Sequence, residues 1–214
     1  MTKTVKKLLI SLMALVMTVC CGFALLGTQP ITANAATAEY GLWVGGVKVT
    51  SDNLVIDSND NSAITGSATY DPTSNTLTLD NFSYTSVGMV VEGAILCDYS
   101  IDSLNIVLKG TNTISATGDD WGNSDGGIIL EKNNASLRIS DYVGDDSTGV
   151  LNITSDYYGI EFNGGNETEL TLQNVTLNID TYWPGIDAAR YVNITKSTLM
   201  IKCRIVSFRA DLYH

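Results

Sequence analysis

The sequence predicts an all-β chain wound into a right-handed parallel β-helix behind an N-terminal β-hairpin cap. Two observations carry that expectation. Leu170-Thr-Leu172 and Leu177-Asn-Ile179 recur 22 residues later as Val192-Asn-Ile194 and Leu199-Met-Ile201. A Gly-Ile pair also introduces each block, Gly159-Ile160 before the first and Gly185-Ile186 before the second. Self-similarity at a period of roughly 20 to 50 residues marks a repeat architecture. Apolar positions alternate with period two, so the unit is made of strands. One such unit cannot bury its own apolar face and must stack on a copy of itself. A β-sandwich is the alternative, but it gives no reason for a position-for-position match at one offset.

Residues 1–35 read as a leader outside that fold. Lys3, Lys6 and Lys7 form a basic start, Leu8 to Leu26 an apolar run, and Ala33-Asn34-Ala35 a small-residue cleavage site. The expectation is a Sec signal peptide cleaved near Ala35, which leaves no integral membrane span after processing. Cys20 and Cys21 lack the preceding small residue of a lipoprotein site. The protein is expected to be secreted or held at the cell surface.

Residues 36–85 read as the cap. Leu42-Trp-Val44 and Val47-Lys-Val49 flank Gly45-Gly46, a tight hairpin signal. Ala68-Thr-Tyr70 and Thr76-Leu77-Thr-Leu79 flank a turn fixed by Pro72. Such a cap shields the first open edge of a solenoid.

Residues 86–203 read as the coils. Gly93-Ala94-Ile95 leads to Leu104-Asn-Ile106-Val-Leu108, and Gly127-Ile128-Ile129 leads to Leu137-Arg-Ile139 and Val150-Leu151-Asn-Ile153. The introducing glycines, Gly93, Gly127, Gly159 and Gly185, are spaced 34, 32 and 26 residues apart. The extra length falls in polar stretches, 117–126 and 140–149, which are expected to be side loops. Residues 204–214 lose the pattern and turn basic. They read as an atypical tail that leaves the last coil uncovered, consistent with truncation of a longer chain.

Charge narrows the partners. The chain has 12 basic and 23 acidic residues, and removing the three leader lysines leaves nine against 23, a net −14. Nucleic acid and anionic membranes are poor partners for such a surface. Cys97 and Cys203 lie in separate apolar strand contexts and read as two buried free thiols.

Tyr40-Gly-Leu-Trp-Val-Gly-Gly-Val-Lys-Val-Thr50, Tyr70-Asp-Pro-Thr-Ser-Asn-Thr-Leu-Thr-Leu79 and Ile106-Val-Leu-Lys-Gly-Thr-Asn-Thr-Ile114 resemble motifs of one bacterial family. These are secreted and surface carbohydrate-binding domain proteins of clostridia and other Gram-positive gut bacteria. The resemblance implies a parallel β-helix similar to pectate-lyase scaffolds, bound calcium, and affinity for acidic plant polysaccharide such as polygalacturonate. It covers most of residues 38–201 and carries over no residue-level ligand motif.

Aromatic residues gather just before the Gly-Ile pairs: Trp121 before Gly127, Tyr157 and Tyr158 before Gly159, Tyr182 and Trp183 before Gly185. In register, they would fall on one turn of successive coils, ~5 Å apart. Flat rings with a polar edge suit sugar stacking; packing that stiffens the stack is the other reading. Asp119, Asp120, Asn123 and Asp125 in one loop, and Asp141, Asp145 and Asp146 in the next, are candidate calcium ligands. Neither loop keeps the EF-hand order, and solvated acidic loops are the competing reading.

Catalytic residues are not expected. The only histidine is His214, and Lys132, Arg138, Arg190 and Lys196 are the candidate bases in the later coils for a polysaccharide lyase. The sequence therefore points to a secreted, non-catalytic polysaccharide-binding protein that uses calcium. A surface adhesin stalk without a sugar site and a polysaccharide lyase are the alternatives.

Overall fold

A computed structural model of the protein describes residues 36–87, 93–117, 126–144 and 148–204. The expected leader and the tail from residue 205 lie outside the described residues. Every regular element among the described residues is a strand, and the strands stack as three walls of a parallel β-helix.

The first wall stacks β6 (Gly93–Cys97), β9 (Gly126–Leu130), β12 (Ile160–Phe162) and β15 (Ile186–Asp187), all parallel. The second stacks β7 (Ser103–Lys109), β10 (Ser136–Asp141), β13 (Glu169–Gln173) and β16 (Tyr191–Thr195). The third stacks β8 (Thr111–Thr117), β11 (Gly149–Ser155), β14 (Val175–Thr181) and β17 (Thr198–Cys203). Alternation sets which side chains enter the core. In β14, Val175, Leu177, Ile179 and Thr181 are buried while Thr176, Asn178 and Asp180 face outward.

The 22-residue echo is the register itself. Leu170 pairs with Val192, Leu172 with Ile194, Leu177 with Leu199 and Ile179 with Ile201. One step differs from the sequence expectation: Gly93 pairs with Gly126, not Gly127, because buried Ile95 and Ile128 take the same inward slot. The first repeat of this wall is thus one residue shorter than the glycine spacing implied.

The corner between the second and third walls turns on one left-handed residue. Gly110 (φ 69°), Asn174 (φ 54°) and Lys196 (φ 48°) hold that position in their coils. A Cβ on Gly110 would lie 2.4 Å from the Asn81 Oδ1 in the coil before, so a side chain there would have to displace that amide. Asp141, at the end of β10, ties the start of β11 to the corner of the next coil. One of its carboxylate oxygens accepts the Gly149 N–H at 2.8 Å and the other the Asn174 Nδ2 at 2.7 Å.

The cap is β1 (Glu39–Val44) to β4. β1 and β2 (Val47–Thr50) form the expected hairpin over Gly45 and Gly46, both at positive φ, and β1 runs antiparallel to β6. β4 (Ile64–Asp71) carries β3 (Val55–Ile56) and lies antiparallel along β5 (Thr76–Val87). On its other side β5 is parallel to both β7 and β8, bending at Asn81 (φ 47°) to serve two walls. Parallel pairing therefore starts within the segment that reads as cap. Asn112 lies buried beside this bend with its polar atoms engaged. Its Oδ1 accepts the Phe82 N–H at 2.8 Å, and its Nδ2 donates to the carbonyls of Lys109, Gly110 and Val150.

The last coil is different. Val192, Ile194 and Ile201 occupy inward slots yet are 44%, 47% and 42% exposed. Cys97 is buried and free, and burial pushes its thiol pKa up. Cys203 is also free but only half-buried, a correction to the expected pair of buried thiols: it lies in that last, open coil.

Candidate functional site

Polypeptide leaves the third wall for the first through a four-residue turn that repeats. Ser155 and Thr181 are register partners, and Ile160 and Ile186 are the next partners on the far side. Between them run Asp156-Tyr157-Tyr158-Gly159 and Tyr182-Trp183-Pro184-Gly185, so Tyr157 sits level with Trp183 on the adjacent coil.

The glycines are required by closeness. A Cβ on Gly159 would lie 2.4 Å from the Ile179 Cγ2 and 2.6 Å from the Gly185 carbonyl oxygen; one on Gly185 would lie 2.4 Å from the Ile201 Cγ2. Gly127 meets Ile153 in the same way at 2.5 Å. Each turn is thus pressed against an isoleucine of the third wall, which accounts for the Gly-Ile punctuation.

Two buried hydroxyls hold the turns. The Ser155 Oγ accepts the Tyr157 N–H at 3.0 Å, and the Thr181 Oγ1 donates to the Trp183 carbonyl at 2.6 Å. A coil earlier the same inward slot holds Ala116. These hydroxyls sit where a core residue is expected and fix the backbone that carries the rings.

The ring of Tyr157 lies 4.3 Å from that of Tyr158, edge to face, and 5.8 Å from that of Trp183; Tyr158 and Trp183 are 6.3 Å apart. Interplanar angles of 58–62° make this a folded cluster, not a flat ladder. All three side chains are half-buried. Tyr182 is half-buried beside them, its N–H donated to the Ser155 carbonyl at 3.2 Å. Trp121 lies outside the described residues. The Tyr158 hydroxyl has its pKa pushed up to about 12, first by burial and then by the charge of Asp187, by Tyr157 and by Glu161.

Those carboxylates were not evident as a pair from sequence. Glu161 and Asp187 are register partners on β12 and β15. The signal was available: each lies two residues after the glycine of its Gly-Ile pair.

Of the candidate calcium ligands, Asp119, Asp120, Asn123, Asp125, Asp145 and Asp146 lie outside the described residues. Asp141 is described, and both of its oxygens accept hydrogen bonds from Gly149 and Asn174. Among the described residues no group of three or more His, Cys, Asp or Glu converges as a metal site. Arg138 stands outward on the second wall and donates to the Gln173 Oε1, while the Arg190 guanidinium lies 5.9 Å from the Tyr191 ring. Lys132 pairs with Asp102 at 3.2 Å, and Lys196 is the left-handed corner already described. No family model, curated protein or solved structure matches the chain.

Proposed function

We propose that the protein is a secreted, non-catalytic polysaccharide-binding protein whose sugar site is the turn of Tyr157, Tyr158 and Trp183. The observation that carries this reading is the meeting of three half-exposed rings from two coils, on a backbone braced by Ser155 and Thr181. The family resemblance of the three sequence motifs supports the same class. An acidic glycan such as polygalacturonate would reach so acidic a chain through calcium held by the loops around Asp119 and Asp145.

A glycan array run with and without calcium tests the reading, with the variants Tyr158→Ala and Trp183→Ala alongside. Each variant is expected to weaken retention at least tenfold, with its unfolding transition kept. Unchanged retention by the double variant would sink the site and leave an adhesin stalk as the better account. Release of unsaturated uronide from polygalacturonate would overturn the non-catalytic part.

A further inference from the structure

The outward slot that Glu161 and Asp187 share runs across the whole first wall. In register order it holds Trp43, Leu96, Ile129, Glu161 and Asp187. Leu96 and Ile129 are buried, whereas Glu161 and Asp187 are half-exposed. Glu161 lies between buried Ile160 and Phe162, so the pleat sends its side chain to the outer face. Neighbouring parallel strands are ~5 Å apart, and two carboxylates at adjacent positions repel one another. The fold does not demand that arrangement, since the two coils before it carry apolar residues in the same slot. The pair occurs in the two coils whose turns carry Tyr157, Tyr158 and Trp183.

We infer that this turn and the Glu161–Asp187 pair form one subsite for a sugar bearing a free amino group, its ring on an aromatic face and its ammonium against the two carboxylates. The inference rests on the polysaccharide-binding reading and, at this turn, puts a cationic sugar in place of the acidic glycan. From Tyr158 to Glu161 is three residues, at most ~10 Å of extended chain and less around a corner, which is the scale of one pyranose ring with its substituent. The raised Tyr158 pKa agrees with this placement, because both carboxylates act on its hydroxyl. A uronate in the same position would meet like charge.

Calcium is the rival cation, but it takes about six to eight oxygen ligands. Two carboxylates with no third acidic group converging among the described residues fall short of that. An ammonium has three donors, which two carboxylates can accept, and it gains from a nearby ring face.

Calorimetry on the purified protein separates the possibilities. A hexamer of β-1,4-linked glucosamine is compared with its fully N-acetylated counterpart, a galacturonate hexamer and an oligolysine of matching charge. The glucosamine hexamer is expected to bind at least tenfold tighter than the acetylated one, with the advantage shrinking as salt is added. Glu161→Gln with Asp187→Asn should erase that advantage and leave the weaker binding of the acetylated hexamer unchanged, which also shows that the variant is folded. Equal or tighter binding of the acetylated or galacturonate hexamer overturns the amino-sugar inference while the polysaccharide reading stands. Equal binding of oligolysine overturns it too, since charge alone would then suffice. Binding of none of the sugars here and on the array removes both.

Discussion

Leu172 and Ile194 occupy the same slot of consecutive coils, yet the first is sealed and the second stands half in solvent. The same holds for Ile179 against Ile201. Nothing in the two tripeptides explains the contrast, for both alternate apolar and polar residues and both adopt the same strand. The difference is the neighbour: a side chain in a solenoid is buried half by the coil below and half by the coil above. Burial here is a property of the stack and not of the strand.

The largest test of that comparison is a pair of truncations. Leu172→Ala should cost about 3 kcal/mol, in the range for a sealed aliphatic side chain, and Ile194→Ala about 1 kcal/mol. Urea unfolding followed by circular dichroism measures both. Equal costs would mean that the last coil is as well packed as the one before it.

A smaller effect separates the corners of the same two coils. Asn174 suits a left-handed backbone and its amide holds Asp141, whereas Lys196 has no such compensation in its backbone geometry. Asn174→Ala should destabilise by about 1 kcal/mol, and Lys196→Asn should stabilise by about 0.5 kcal/mol. A shift of the unfolding midpoint in the opposite direction for Lys196→Asn would refute the strain assignment.

The smallest effect is electrostatic and belongs to the aromatic turn. With its pKa raised to about 12 from an ordinary 10.0, Tyr158 keeps its proton in the folded state where the unfolded chain has lost it. Its contribution to stability is therefore intact below pH 10 and declines as pH rises through 12. Tyr158→Phe should flatten the alkaline limb of the stability curve, and absorbance titration of tyrosinate should lose a step near pH 12.

Much of this was legible in the sequence because the coils from Leu170 to Ile201 contain no insertion. Equal coil lengths turn the 22-residue offset directly into strand register, and the Gly-Ile pairs then level Tyr157 with Trp183. Gly93 misled by one residue because the inward isoleucines, not the glycines, set the register. The bend at Asn81 has a sequence signal, since the buried positions change phase from Leu77 and Leu79 before it to Phe82 and Tyr84 after it. A polar Asp80-Asn81 pair within a cap hairpin does not by itself show a strand shared by two walls. Ring tilt depends on how neighbouring side chains fill space, and no spacing rule reports it. Ser155 and Thr181 escaped notice because a polar residue at the end of a strand reads as the start of a loop. Here they are buried and tie the turn from within.

The double role of β5 bears on how such a chain can vary in length. Antiparallel pairing on one side and parallel pairing on the other marks the change from hairpins to coils, and it is completed at β5 and, in the first wall, at β6. Every coil after it meets only its two neighbours, so a coil can be added or lost downstream without altering any contact of the cap. Changes in coil number are thereby confined to the side of the molecule away from β4.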